Sequence, residues 1–131
     1  MRHHKYNSGF KFVLEPEDFN KYTEKELLQY CPGATMYMPG VNDFSSKILN
    51  KQMPGLTSLV FDFEDACPHD RVEEAEANVL SMLDIFAAAL DEQKISYDDL
   101  PLVFCRVRNH DQFIRFADKL TKQQAKVLAG I

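Results

Sequence analysis

The sequence predicts an α/β fold built around a parallel β-sheet. Two observations lead to this prediction. Short apolar runs bounded by turn residues alternate three times with segments whose apolar residues recur at helical intervals. The strongest of these runs is continuously apolar, which is typical of a strand covered on both faces, as strands are in parallel sheets.

The segment before the first predicted strand mixes aromatic with charged residues. Within residues 15–30, apolar side chains fall at roughly helical spacing. Thr23 and Glu26 have the T-x-x-E spacing of a capping box, in which two side chains satisfy free main-chain N–H groups at a helix start. This pattern predicts one short helix or two broken helices.

The first predicted strand is short and ends at a turn. Its apolar run, Met36–Met38, stops at Pro39 and Gly40, a pair that marks turns and loops. Asn42 or Asp43 can then cap a short amphipathic helix, which ends before the next Pro-Gly turn.

The second strand and the helix after it have the clearest patterns in the chain. The strand is a run within LTSLVFDFEDACP that is dominated by Leu59, Val60, Phe61 and Phe63. From His69 to Gln93 the apolar residues recur with a period of about 3.6, which predicts a long amphipathic helix. The apolar stripe of this helix comprises Val72, Ala75, Val79, Leu83, Phe86 and Leu90. The acids predicted to fall largely off the stripe are Glu73, Glu74, Glu76 and Asp84.

The last third of the chain continues the alternation. The run LVFCRV, residues 102–107, predicts a third strand. Residues 111–120 and 122–129 then place apolar side chains at helical intervals. The final Gly130 and Ile131 predict the beginning of a fourth strand.

Composition and charge favour a small metabolite as partner. The net charge is −5, the pI is about 5.3, and Lys and Arg are scattered among acids, which gives little support to a grip on nucleic acid or an anionic membrane. The N-terminus lacks the apolar core of about 7–15 residues found in signal peptides. No apolar run of about 18 residues occurs. We expect a soluble cytoplasmic protein.

The cysteines and the N-terminal histidines give weaker signals. Cys31, Cys67 and Cys105 are far apart without C-x-x-C spacing, so we expect reduced thiols, with Cys67 and Cys105 buried and inert. His3 and His4 could contact a metal as a pair. A solvated chain end is the better interpretation, because chain ends are rarely ordered.

Polar residues follow each of the three predicted strands, where ligands gather in parallel α/β sheets. In an extended segment Asp62 and Glu64 share a face, whereas Asp65 points the other way unless the strand has already ended. These acids could simply cap the next helix, and Arg106 could simply pair with one of them. The functional alternative is a pocket with carboxylates on one side and guanidinium on the other. The three groups are Pro39-Gly40 with Asn42, then Asp62 with Glu64 and Asp65, and then Arg106 with Arg108 and Asn109.

The ordered motifs MYMPG, LVFDFEDACP and FCRVRN resemble the citrate lyase beta subunit and HpcH/HpaI aldolase family over residues 34–131. This resemblance implies the N-terminal part of a (β/α)8 TIM-type barrel, with about three complete β/α units and the start of a fourth strand. Residues 34–131 would then be an incomplete barrel domain, and residues 1–33 an N-terminal extension with a short helix. The resemblance also implies magnesium-dependent cleavage or formation of a carbon-carbon bond. The expected substrates are small oxo acids or citryl- and malyl-coenzyme A thioesters.

The resemblance assigns roles to five residues. Arg106 matches the arginine that holds the carboxylate and carbonyl oxygen of the oxo acid, a role that suits a planar guanidinium. Glu64 and Asp65 match the catalytic acid pair beside the metal and its waters. Pro39 and Gly40 match the loop that borders the substrate. The magnesium ligands of the family lie on later strands, so no metal ligand is assigned here.

Several expectations accompany this assignment. The full-length form is expected to be a homo-oligomer, and coenzyme A enters only as part of the substrate. A barrel needs about eight strands to close, so we expect this chain alone to be inactive. Two departures from the family pattern, Arg108 within R-V-R-N and Cys67 in place of valine, leave the substrate open.

Two other functions are compatible with the sequence. The first is a non-catalytic α/β module that binds a partner through an open sheet edge. The second is a haloacid dehalogenase-type phosphatase. In that case Asp62 would be the nucleophile, and Glu64 would stand where that family has a second aspartate.

Overall fold

The structure, a computed structural model, describes residues 9–131 and forms one parallel sheet with helices packed on it. The predicted histidine pair, His3 and His4, lies outside the described residues. The helices are α1 (Lys25–Leu28), α2 (Ser45–Leu49), α3 (Val72–Asp91), α4 (His110–Lys119) and α5 (Lys122–Ala125). The strands are β1 (Thr35–Pro39), β2 (Ser58–Asp62), β3 (Leu102–Arg106) and β4 (Leu128–Gly130).

The strands lie side by side in chain order, β1-β2-β3-β4, and every pair is parallel. Such an order requires a helical crossover between successive strands, and here α2, α3 and the pair α4 and α5 supply it. This is the arrangement of the N-terminal part of a (β/α)8 barrel, as predicted. Within residues 9–131, no helix is long and apolar enough to cross a membrane.

The main core lies between the sheet and the helices. Leu59 and Phe61 of β2 are fully buried there, because their side chains point to the same face of the strand. The predicted stripe of α3 packs against them, and its Val79, Leu83 and Phe86 have no exposed surface. Each such side chain contributes about 1.5–3 kcal/mol through burial, so this contact anchors the fold.

The other face of the sheet points away from these helices, and we call it the inner face. The register aligns its side chains in rows across β1, β2 and β3, because Tyr37 pairs with Val60 and Val60 pairs with Phe104. The row nearest the carboxyl ends consists of Pro39, Asp62 and Arg106. The inner face comprises Thr35, Tyr37, Pro39, Ser58, Val60, Asp62, Leu102, Phe104 and Arg106.

The N-terminal segment contains one short helix, which is one of the two forms predicted. Of residues 15–30, only Lys25–Leu28 form an α-helix. The predicted capping box is wrong, because the Thr23 hydroxyl accepts a hydrogen bond from the main-chain N–H of Asn20 (3.1 Å), and no side chain caps the helix. A local side-chain bond of this kind competes with helix formation.

Tertiary contacts hold the same segment in its non-helical path. The ammonium group of Lys21 donates hydrogen bonds to the carbonyl oxygens of Ala125 (3.0 Å) and Lys126 (2.7 Å). These carbonyls lie at the end of α5, where main-chain acceptors lack helical partners. Packing against a distant element therefore outweighs the helical pattern of the sequence.

The boundary between the last helix and the last strand also differs from the prediction. The helix predicted over residues 122–129 ends at Ala125, and β4 begins at Leu128 rather than at Gly130. Thr121 and Gln124 form a capping box at the start of α5, which fixes the N-terminal end of this helix. Leu128 then pairs with β3, so sheet pairing decides where the fourth strand begins.

Candidate functional site

Arg106 lies at the carboxyl end of β3 and faces three carboxylates. Its Nη2 atom is 2.9 Å from Oδ2 of Asp65 and also contacts Oε2 of Glu64. Its Nη1 atom is 3.5 Å from Oδ2 of Asp62, its neighbour on β2. The hydrogen bond with Asp65, together with the charges of Glu64, Asp65 and Asp62, raises the pKa of the Arg106 guanidinium. The group stays charged, and 37% of the side chain is exposed.

Asp62 brings the other two acids to Arg106 by ending the strand. Its side chain is only 3% exposed. One carboxylate oxygen accepts a hydrogen bond from the N–H of Glu64 (2.7 Å), and the other accepts from the N–H of Ala66 (3.3 Å). An aspartate that binds main-chain N–H groups ahead of it makes a turn. Because β2 ends at Asp62, Asp65 is no longer directed away and all three acids meet at Arg106.

Gly40 occupies a position where a side chain would not fit. A Cβ atom there would lie 2.9 Å from the ring of Phe63 and 3.1 Å from the Cβ of Ala75. Its carbonyl oxygen accepts a hydrogen bond from Nδ2 of Asn78 (2.7 Å). The loop after Pro39 is therefore packed tightly against α3 beside the Arg106 cluster.

A pocket of about 510 Å³ lies on the inner face below Arg106. This volume is within the range of small-molecule sites. The guanidinium of Arg106 lies 6.0 Å from the ring centroid of Tyr37, whose side chain is 57% exposed. Sequence reasoning missed Tyr37, although it stands two residues before Pro39 and therefore on the same face of β1. The pocket lining includes Thr35, Tyr37, Ser58, Val60, Phe104 and Arg106.

Arg108 has a different role from Arg106, although only one residue separates them. Its Nη2 atom donates hydrogen bonds to the carbonyl oxygens of Glu64 (3.0 Å) and Cys67 (2.5 Å). Asn109, which follows it, caps α4 by accepting a hydrogen bond from the N–H of Gln112 (2.9 Å). The side chain of Arg108 therefore holds the loop after β2 against the loop after β3 by binding main-chain carbonyl oxygens of the loop after β2.

Glu76 corrects the prediction that the acids of α3 fall off its buried stripe. Glu76 is buried, and its carboxylate accepts hydrogen bonds from Gln112 Nε2 (3.0 Å) and Lys119 Nζ (2.6 Å). Gln112 in turn accepts a hydrogen bond from the main-chain N–H of Arg108 (2.7 Å). A buried carboxylate needs such partners, and they come from α4, which periodicity within α3 cannot reveal.

The three cysteines are free thiols. As predicted, Cys67 and Cys105 are buried, while Cys31 is partly exposed. Burial raises the pKa of the Cys105 thiol to about 12. Burial also raises the pKa of Cys67, although the charge and hydrogen bond of Arg108 partly offset this rise. Both buried thiols therefore stay protonated and poorly reactive near neutral pH.

The carboxylates around Arg106 do not make a metal site by themselves. Among residues 9–131, no group of three His, Cys, Asp or Glu side chains is arranged to hold a metal ion. The carboxylate of Asp62 binds main-chain N–H groups, and the carboxylate of Glu64 binds the guanidinium of Arg106. The residues present therefore do not fit a bound magnesium ion.

Comparison with known protein families gives one match. A family model described as C-C bond lyase of the TIM-barrel fold matches residues 26–131. The matched region extends from α1 to the end of the chain, so it contains the whole sheet and the Arg106 cluster. The description covers carbon-carbon lyases of this fold and does not single out the citrate lyase beta subunit type. Searches of curated proteins and of solved structures gave no match.

Proposed function

Because the chain belongs to the C-C bond lyase family of the TIM-barrel fold, we propose that it uses Arg106 to bind an oxo acid or a citryl- or malyl-type acyl-coenzyme A thioester. One observation carries this proposal. The Arg106 guanidinium is partly exposed at the carboxyl end of the sheet, above a pocket on the inner face. A planar, permanently charged guanidinium suits a carboxylate and an adjacent carbonyl oxygen.

The geometry separates the three acids into two kinds. Asp62 is buried and fixed by two main-chain N–H groups, so it stays with Arg106 when a ligand binds. Glu64 and Asp65 are more exposed, at 34% and 76%, and can move aside for an incoming carboxylate. Substrate would therefore replace Asp65 and Glu64 on Nη2, while Asp62 continues to hold Nη1.

Arg106 also suits the electronic demand of carbon-carbon cleavage. When the bond breaks in a retro-aldol or Claisen-type reaction, its electron pair forms an enolate with negative charge on oxygen. A fixed positive group beside that oxygen stabilises the charge as it develops. We propose this role for Arg106, with Glu64 and Asp65 as acids beside the reacting groups.

Magnesium dependence remains part of the proposal, although the residues described here do not form the ion's site. We propose that residues outside this chain hold the ion and that Glu64 and Asp65 orient groups near it. Coenzyme A as part of the substrate and a homo-oligomeric full-length form are proposed on the same basis. Loss of activity of a full-length form on adding a chelator, with recovery on adding magnesium, would test the metal.

One observation favours a second function, that of a non-catalytic binding module. Part of the inner face is exposed, with Tyr37 and Ile131 accessible beside its pocket. The phosphatase alternative has no such support. Both carboxylate oxygens of Asp62 are engaged by main-chain N–H groups, whereas a nucleophile needs a free oxygen.

The test is a pair of arginine substitutions with binding of pyruvate and oxaloacetate measured by calorimetry. Arg106→Ala should weaken binding roughly 100-fold, because two charge-assisted hydrogen bonds are lost. Arg71→Ala is the matched control, since Arg71 also pairs with a carboxylate, that of Glu74, but away from the site. It should leave binding unchanged. If a full-length form that contains this chain binds neither the oxo acids nor an acyl-coenzyme A thioester, the lyase proposal fails and the binding module takes its place.

A further inference from the structure

Arg108 connects the two loops that carry the candidate site. It lies in the loop after β3, and its guanidinium reaches main-chain oxygens in the loop after β2, more than 40 residues earlier in the chain. We propose that Arg108 is a positioning residue that fixes the loop of residues 63–67 and thereby places Glu64 and Asp65 against Arg106. Its effect on ligand binding rests on the function proposed above; its effect on the loop does not.

The loop of residues 63–67 is held by two side chains of opposite charge. One binds main-chain N–H groups, and the other binds main-chain carbonyl oxygens. The carboxylate of Asp62 accepts hydrogen bonds from the N–H groups of Glu64 and Ala66. The guanidinium of Arg108 donates to the carbonyl oxygens of Glu64 and Cys67. Hydrogen bonds to charged groups are stronger than those between neutral groups. The two side chains therefore define the path of the loop from both sides.

Arg108 is itself held by the helices behind the sheet. Its main-chain N–H donates to Oε1 of Gln112 (2.7 Å). Gln112 is buried and bonded to Glu76, which also accepts a hydrogen bond from Lys119. This network joins α3 to α4 and gives Arg108 a rigid base. The loop after β2 is thus tied to both helices through one side chain.

The Nη2 contacts are the ones that hold the Arg108 side chain. Its Nε atom is buried and has no hydrogen-bond partner among residues 9–131. Arg108 also stays apart from the carboxylate cluster, since both of its acceptors are main-chain oxygens. Removing the side chain should therefore release the loop without removing a charge partner of Arg106.

Cysteine alkylation can measure this release separately from unfolding. Cys67 lies at the end of the loop and is 4% exposed, whereas Cys105 lies within β3 and is 3% exposed. Iodoacetamide labelling followed by mass spectrometry gives the rate at each thiol. Arg108→Ala should raise the rate at Cys67 at least 10-fold, because two charged hydrogen bonds are lost. The rate at Cys105 should stay at its wild-type value.

The sign of this change excludes an electrostatic explanation. The charge and hydrogen bond of Arg108 lower the pKa of Cys67, against the larger effect of burial. Removing Arg108 would therefore make the thiolate scarcer and slow the reaction if the loop stayed closed. Faster labelling of Cys67 would therefore report greater access to the thiol and not the lost charge of Arg108.

Two further variants complete the experiment. Arg108→Lys keeps a cation that can reach one carbonyl, so Cys67 should react at a rate between those of wild type and Arg108→Ala. Arg115→Ala removes an exposed arginine of α4 that makes no side-chain hydrogen bond or ion pair with residues 9–131, and it should leave both rates unchanged. Affinity for pyruvate should rise in Arg108→Ala, because a released loop no longer holds Glu64 and Asp65 on Nη2 of Arg106, where the substrate carboxylate would bind.

Two outcomes would overturn the proposal. In the first, Cys67 of Arg108→Ala reacts as slowly as in wild type, so the loop does not need Arg108. In the second, Cys67 and Cys105 become reactive together, which means that Arg108 supports the whole fold rather than the loop. If the labelling changes as expected but no oxo acid binds to any variant, the positioning role stands and the lyase proposal fails.

Discussion

The two ends of the inner face differ in chemistry although the same three strands build both. At the carboxyl end, Asp62 and Arg106 face each other, and the loops are held by charged side chains. At the amino end, Leu102 of β3 is buried beneath Phe19 of the N-terminal segment. In a parallel sheet all carboxyl ends of the strands lie on one side and all amino ends on the other. The carboxyl side can therefore carry the functional residues while the amino side contributes stability.

The amino end gains its cover from residues outside the sheet. Phe19 packs on Leu102, and Leu28 and Cys31 pack on the same small cluster. Lys21 fastens the segment by donating to carbonyl oxygens at the end of α5. Apolar burial is the main contribution here, whereas hydrogen bonds to charged groups dominate at the other end.

The sharpest test of the comparison is Leu102→Ala at the amino end. Because Leu102 is buried between the sheet and Phe19, its truncation should lower the free energy of unfolding by about 2–5 kcal/mol. Urea denaturation followed by circular dichroism measures this change. The labelling rate of Cys67 in the native state should stay low, since the loop after β2 is at the opposite end.

Leu27→Ala is the matched control for this substitution. Leu27 belongs to α1, and half of its side chain is exposed, so the same truncation should change stability by less than about 0.5 kcal/mol. If Leu102→Ala lowered the free energy of unfolding as little as Leu27→Ala does, the N-terminal segment would not cover the amino end.

A smaller effect is expected from Gly40→Ala at the carboxyl end. The new methyl group would lie 2.9 Å from the ring of Phe63, which is fully buried and packs against Phe116. Overpacking of this kind costs about 1–3 kcal/mol, to be measured by thermal and urea denaturation. The loss would show that packing, as well as charge, holds the loop after β1.

Gly55→Ala provides the control for the glycine substitution. No atom lies within 4 Å of a Cβ built at Gly55, and no glycine of residues 9–131 has a positive φ. Alanine there should be neutral or stabilising by less than about 1 kcal/mol, because it restricts the unfolded chain. A similar loss in both variants would contradict the packing argument at Gly40.

The elements that the sequence predicts well are those that need only an apolar surface to pack against and no particular partner residue. Any apolar surface satisfies a continuous run such as residues 59–63 or the stripe of α3, so the pattern alone predicts burial. The capping box predicted at Thr23 is wrong because the Thr23 hydroxyl accepts from the N–H of Asn20, and the path of this segment also depends on the contact of Lys21 with carbonyls at the end of α5. Periodicity carries no information about such distant partners.

The same distinction applies to the candidate site. Arg106, Glu64 and Asp65 could be placed together from the sequence, because the carboxyl ends of adjacent parallel strands must meet. The contacts of Arg108 and Glu76 could not. Their partners are main-chain oxygens or side chains 36–44 residues away, and no spacing rule connects them.

The smallest expected effect concerns a fourth carboxylate at the carboxyl end, that of Asp43. Asp43 follows β1, and its Oδ1 accepts a hydrogen bond from the N–H of Ser45 (2.8 Å). Hydrogen bonding with the side chain and main chain of Ser45 lowers the pKa of Asp43 below its usual value of 3.8. The ionised form is therefore favoured by folding. Its contribution to stability is present above about pH 4 and is lost as pH falls through the folded-state pKa.

Asp43→Ala should thus cost about 1 kcal/mol at pH 7, a typical net value for a lost hydrogen bond, and less in acid. Urea denaturation at pH 7, 5 and 3 measures the difference from wild type at each pH. Asp84→Ala is the control, since Asp84 is exposed in the middle of α3 and makes no side-chain hydrogen bond or ion pair within residues 9–131. A difference for Asp43 that stays constant down to pH 3 would show that the carboxylate charge does not hold this loop. The carboxyl end would then depend on charge at the Arg106 cluster and not at the loop after β1.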